Sequence, residues 1–323
     1  MPTLPRTATR LALLLSLASA LLPFPSRAQT QNPPTQDQEA PAIRTNVSLV
    51  LMDATVKTKA GLLRSDLKKE DFEIREDGVV QNVQVFSRDE LPLNVALVLD
   101  LSDSIEPFLG PLREAANSAL SALKPDDEVA LFTFSTEAEL RVPFTTDKSK
   151  VAGQINSFKI GGATNINDGI FVPAKYLLTA PNKGRRVIIL ISDDVATFSG
   201  GEGTHDIITE LIASDAVLYN LKIPGYNPPG TLFAASFEKG LVNIRRVMDQ
   251  TGGEVFDVEN VANLDAAFRA LIERIKTRYT IGYYTKASAA EGKQHKLDLR
   301  LANSFGKKGK DYLVLAKTGF YVH

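Results

Sequence analysis

The chain has 323 residues, 44% of them apolar, no cysteine and a formal charge of −1. These values exclude wholesale disorder, a disulfide-stapled scaffold and the basic footprint through which nucleic acid or anionic lipid is bound. The length fits one large or two modest domains, each relying on its own apolar core.

Residues 1–28 predict an export signal. Arg6 and Arg10 form a basic leader, the apolar run from Leu11 to Leu22 is short for a membrane span, and Ser26-Arg27-Ala28 offers a cleavage point. Cleavage would leave no membrane span and deliver the product to the periplasm, the cell surface or the medium. Residues 29–42, rich in Gln, Pro, Asn and Thr, read as a disordered spacer. From 43 to 92 the texture is β-rich. Val47, Leu49 and Leu51 alternate, Lys59-Ala60-Gly61 signals a turn, and Phe72 to Arg75 and Val83 to Phe86 are short strands about a turn at Glu76-Asp77-Gly78.

Residues 93–277 alternate strand and helix patterns. Apolar strands are expected at Val95–Leu99, Val129–Phe134, Val187–Ile191 and Val217–Leu221. Helix faces are carried by Leu112, Ala115, Ala116, Ala119, Leu120 and Leu123, by Ile207–Ala213, and by Leu264, Phe268, Leu271, Ile272 and Ile275. This alternation predicts an α/β, Rossmann-like unit, a mostly parallel sheet with helices on both faces. A long loop or insertion is expected across Tyr226–Gly240. From 278 to 323 β texture returns, with Tyr279, Ile281 and Tyr283 as a core stripe, then Leu297, Leu299 and Leu301, then Tyr312 to Leu315. The economical arrangement is one sandwich-like domain built from both ends, with the α/β unit inserted; two small independent β units are the alternative.

Asp100-Leu101-Ser102-Asp103-Ser104 follows the first central strand directly. Open α/β sheets place ligands at the carboxyl ends of their strands. Offsets of two and four let one turn aim Asp100, Ser102 and Ser104 at a single point. Three hard oxygens there suit Mg²⁺, with Mn²⁺ close behind; a Ca²⁺ cage usually recruits more oxygens. Serines here could also serve as helix caps. Further ligands would come from other strand-end loops, Thr164 in Gly161-Gly162-Ala163-Thr164-Asn165 and Asp193 after the strand Val187–Ile191 being candidates.

The D-x-S-x-S spacing resembles the metal-ion-dependent adhesion site of von Willebrand factor type A domains. That family's site comprises this loop, a threonine after a glycine-rich stretch and an aspartate after a later strand; Asp100, Ser102, Ser104, Thr164 and Asp193 occupy those places in order. Asp127 to Ser135 resembles the family's second strand. One departure is Asp194, where the family usually has glycine; it is either a solvated neighbour or a competing ligand. The resemblance implies a divalent cation with an open position for an acidic side chain of a protein partner. The flanks, Asp71 to Gln81, Tyr279 to Tyr284 and Lys317 to Tyr321, resemble exported von Willebrand factor A-related proteins common in Acidobacteria. The competing class is a structural or assembly module of the cell envelope. Enzyme classes find little support: Ser102 stands where a phosphotransfer enzyme needs a second carboxylate, and His205, His295 and His323 lie in no recognisable motif.

Overall fold

The computed structural model describes residues 48–88, 91–181, 184–197, 200–225, 240–287, 292–302, 305 and 311–322. The expected export signal and spacer, and the expected loop except for Gly240, lie outside them. Among the described residues no helix is long and apolar enough to cross a membrane.

The centre is a six-stranded sheet. Strand β5 (Leu93–Asp100) is buried along its whole length, because helices cover both faces of the sheet. Val95, Leu97 and Leu99 enter one core with helices α1 (Leu109–Ala122), α2 (Lys148–Asn156) and α6 (Leu264–Lys276). Ala96 and Val98 enter the opposite core with α3 (Ile166–Tyr176), α4 (Thr204–Ala213) and α5 (Ile244–Thr251). This two-residue alternation explains an uninterrupted apolar strand between two helical layers.

With β6 (Glu128–Phe134), β7 (Ala138–Thr145), β8 (Arg185–Ser192), β9 (Ala216–Lys222) and β10 (Glu254–Asp257), the order across the sheet is β10-β9-β8-β5-β6-β7. All neighbours are parallel except β7, which runs antiparallel to β6 at the edge. The chain therefore winds outward from β5 in one direction, returns, and winds outward from β8 in the other. The reversal lies between β5 and β8, where doubly wound sheets open a crevice at their carboxyl ends. At the opposite end, the Asp127 carboxylate accepts from Leu93 N (2.8 Å) and Lys124 N (2.7 Å), pinning the start of β5 to the turn before β6.

The flanking segments form two further four-stranded sheets, each combining strands from both ends of the chain. One has β1 (Ser48–Thr58) and β4 (Val85–Ser87) with β11 (Tyr279–Thr285) and β13 (Tyr312–Leu315), in the order β13-β1-β11-β4. The other has β2 (Phe72–Glu76) and β3 (Val79–Gln81) with β12 (Gln294–Leu301) and β14 (Gly319–Tyr321), in the order β14-β12-β2-β3. They share one core, in which Val50, Met52, Tyr279, Ile281 and Tyr283 from one sheet meet Ile74, Leu297 and Phe320 from the other. Asp77 and Gly78 both have positive φ, 48° and 86°, which closes a two-residue hairpin between β2 and β3. The alternation at Leu49 and Leu51 marks β1 as a strand, yet both face outward while Val50, Met52 and Ala54 fill the core.

Candidate metal centre at the carboxyl edge of the sheet

Asp100 closes β5, and its two oxygens are held separately. Oδ1 accepts from Ser102 N at 2.9 Å, and Oδ2 accepts from Ser192 Oγ, at the end of the adjacent β8, at 2.7 Å. The Ser102 hydroxyl also bonds to this carboxylate, and with about four acceptor sites it still keeps room for a cation or its water. Ser102 precedes a 3-10 turn over Asp103–Phe108 and makes no side-chain capping bond. Its Oγ instead lies 3.2 Å from Ser104 Oγ. The capping role open to these serines is therefore not taken up by Ser102, and both hydroxyls remain in the loop cluster.

Asp193 lies one residue past β8. Its Oδ1 accepts from Val195 N at 3.0 Å, while its Oδ2 is buried with no hydrogen-bond partner. Burial raises the pKa of this carboxyl, and the Ser104 hydroxyl beside it pulls the other way. Burial also pushes Asp100 up to about 7, with the Asp193 charge adding to the rise. Two desolvated carboxylates within electrostatic reach of each other are an unfavourable arrangement that a divalent cation would relieve. An orphaned carboxylate oxygen, a second carboxylate and two hydroxyls form a hard-oxygen donor set that fits Mg²⁺.

Thr164 reaches the same edge through its loop. Gly161 N donates to Leu101 O at 2.9 Å, tying the glycine loop to the Asp100 loop. Gly162 has φ of 104°, a conformation that favours glycine, and a Cβ there would stand 3.1 Å from Ser135 Oγ. On the other side Thr164 N donates to Thr197 Oγ1 (2.9 Å) and Thr197 N to Thr164 O (3.1 Å). The Thr164 hydroxyl makes no hydrogen bond to Asp100 or Asp193; its loop is tied by backbone bonds to the Asp100 loop and to Thr197.

Asp194 is not a solvated neighbour. Its φ of 62° is the left-handed conformation that a glycine would take without strain and that aspartate tolerates better than most residues. Asn220 Nδ2, projecting from β9, donates to both of its oxygens at 2.9 and 2.7 Å. Burial pushes this carboxyl up to about 6. Three residues that shape the site thus escaped the sequence reading: Ser192, Thr197 and Asn220. Asn220 had a signal, a lone amide inside the apolar run Val217–Leu221.

Gly225, two residues past Ile223, closes the far side of the cluster. A Cβ at this position would overlap Asp193 Oδ2 and crowd its Cβ and Cγ, both 2.6 Å away. Gly225→Ala is therefore expected to turn the Asp193 carboxylate away and weaken Mg²⁺ binding by about 10-fold or more, a loss on the scale of disturbing an outer-shell partner. Titration calorimetry on the folded variant measures it.

The geometry is that of a doubly wound sheet carrying a hard-oxygen cluster at its switch point. Residues 95–196 match the family model described as von Willebrand factor type A domain. No curated protein matches the chain. Among solved structures, it is similar to an aerotolerance-related membrane protein from Bacteroides fragilis (18% identity, TM-score 0.43, 57% of this chain and 98% of that one). It is also similar to a von Willebrand factor type A protein from Catenulispora acidiphila (14%, 0.45, 72% of this chain and 51% of that one). The pilus adhesin SpaC from Lactobacillus rhamnosus GG gives 14%, a TM-score of 0.44, 64% of this chain and 34% of that one.

Proposed function

We propose that this chain is an exported, metal-dependent protein-recognition module of the von Willebrand factor type A kind. Asp100, Ser102, Ser104, Thr164 and Asp193 would hold a divalent cation, Mg²⁺ first and Mn²⁺ next. The cation would supply an open coordination position for an acidic side chain of a protein partner. The observation that carries this reading is the buried, unpartnered Asp193 Oδ2 beside a second buried carboxylate at the sheet's switch point. Asp100 and Asp193 offset the cation's charge, and Ser192 and Val195 N orient the two carboxylates. An acidic partner group completing the shell would gain strength as the interface excludes water.

The reading is of a binding module, not an enzyme. It rests on Ser102, which stands two residues after Asp100 where phosphotransfer chemistry needs a second carboxylate. Membership of the exported Acidobacteria-type subgroup rests on the flanking motifs and belongs to the same proposal. Affinity capture from exported and surface fractions tests it. Retention of specific partners with Mg²⁺, their release by chelator and their absence with Asp193→Ala are expected. Capture indifferent to chelator would replace this reading with the structural module.

A further inference from the structure

A second cluster of potential ligands lies far from the Asp100 loop, where the two ends of the chain meet in the sandwich. Glu76 ends β2, Asp77 sits in the hairpin turn that follows, and His295 lies on β12, which pairs with β2. One ligand atom from each of the three falls within 4.8 Å of the others. His295 Nδ1 stands 2.9 Å from Asp77 Oδ2 and 3.7 Å from Glu76 Oε1. We propose that Glu76, Asp77 and His295 form a divalent-cation site of the Zn²⁺ type that joins the amino- and carboxyl-terminal β segments.

Four observations support it. First, both carboxylates are already oriented from behind. Thr285 Oγ1 lies 2.7 and 2.9 Å from the two Glu76 oxygens, and Lys296 N donates to Asp77 Oδ1 at 2.9 Å. Such outer partners are what fixes ligands around a metal. Second, one nitrogen, Nδ1, faces two carboxylates. A single Nδ1 proton can satisfy one of them, whereas a cation bound in its place would satisfy both. Third, the hydroxyl of Tyr283 is fully buried beside Glu76 and makes no hydrogen bond of good geometry. An orphaned oxygen in a carboxylate-lined pocket is what an added cation or its bound water would meet. Fourth, the His295 ring is set by Phe320, whose ring centroid lies 5.3 Å away, so the imidazole is positioned without metal.

The donor chemistry selects the ion. An imidazole with two carboxylates suits Zn²⁺ and related first-row ions, while Mg²⁺ and Ca²⁺ prefer oxygen alone. The role follows from the absence of cysteine in the chain. Glu76 and Asp77 belong to the amino-terminal hairpin and His295 to the carboxyl-terminal strand, 218 residues beyond Asp77. A metal clamp there would close a long loop that no disulfide closes.

The test uses the full chain carrying Asp100→Ala, so that the carboxyl-edge site is removed and its success or failure does not enter. Zn²⁺ alone is titrated, with melting temperature and Zn-edge X-ray absorption as further readouts. One equivalent of Zn²⁺ is expected to bind, with one nitrogen at about 2.0–2.1 Å and the remaining ligands oxygen. At a hundredfold excess over Kd, the melting temperature should rise by about 5 °C. Adding His295→Gln should weaken binding about 100-fold and abolish the shift, while Asp77→Asn, whose side chain is half-exposed and whose change is conservative, should weaken it about 10-fold. No saturable Zn²⁺ binding in the Asp100→Ala chain overturns the proposal. Binding unchanged by Asp77→Asn, or an absorption spectrum without a nitrogen ligand, does the same.

Discussion

Asp100→Ala is expected to weaken Mg²⁺ binding by about 100-fold or more, because even outer-shell partners of a metal cost 10- to 100-fold and Asp100 is assigned as a direct ligand. The substitution removes the acceptor of both Ser102 N and Ser192 Oγ, so the loop loses its organising carboxylate together with its charge. Asp100→Asn separates the two contributions. It keeps the shape and an acceptor for Ser102 N but carries no charge. Its affinity for Mg²⁺ should fall nearly as far, while its stability in chelator should equal or exceed that of the native chain. The sign follows from burial, which raises Asp100 from 3.8 to about 7. A carboxyl whose pKa is higher folded than unfolded costs stability once pH exceeds the unfolded value, and the penalty is full above the folded value. Removing that ionisation at pH 8 removes the penalty. Calorimetric titration with Mg²⁺ and thermal melts in chelator decide both points. Unaltered Mg²⁺ binding in either variant would dismiss the carboxyl-edge site.

Arg278→Met is expected to destabilise the fold by about 3–5 kcal/mol, lowering the melting temperature by roughly 10 °C. Arg278 lies between α6 and β11 and is almost wholly buried. Its guanidinium donates to the Tyr219 hydroxyl on β9, to Asp53 O on β1 at 2.9 Å, and more distantly to Gly252 O and Leu315 O at 3.5 Å. One side chain thus joins the α/β layer to the sandwich, and its loss would strand several buried acceptors at once. Arg278→Lys should not restore stability, since a single ammonium cannot reach groups that a planar fork of five donors spans. Neighbouring contacts strengthen the junction. Arg185 pairs with Asp53 at 3.2 Å, Thr280 Oγ1 donates to Asp53 Oδ1 at 2.8 Å, and Glu254 is bound by Lys57 and by Arg274 of α6. Chemical denaturation followed by circular dichroism measures the loss. A change within about 0.5 kcal/mol, as expected of an ordinary surface site, would show that the junction does not depend on this side chain.

The central strands and the first, fourth and sixth helices were legible because each carries its own period. Val95–Leu99 and Val187–Ile191 are apolar throughout, and Leu264, Phe268, Leu271, Ile272 and Ile275 recur at helical spacing. Elements without a clean period escaped. Strand β7 is an edge strand with exposed residues in mid-run, α3 is interrupted by Gly169 and Pro173, and α5 carries four charged or amide side chains in eight residues. Strand β7 has one open edge, the period of α3 is broken by residues that disfavour helix, and α5 is too short for its apolar face to repeat.

The candidate ligands could be placed at strand ends from local pattern alone, since an apolar strand followed by Asp or Ser marks a sheet edge. Which strand ends meet is a matter of topology. Only the crossover that sets β8 beside β5 brings Ser192 and Asp193 to Asp100, across 92 residues for the Ser192 bond. The same holds for Asn220 on Asp194 and for His295 beside Asp77. These contacts join polar groups whose spacing in the chain carries no period, because burial of the surrounding apolar faces, not any local preference of the residues themselves, draws them together. Local composition therefore determined that this protein has an α/β centre with hard-oxygen residues at its strand ends and β segments on either side. Tertiary structure alone decided that those segments interleave into two shared sheets and that Asp100 stands bonded to Ser192 and within electrostatic reach of Asp193.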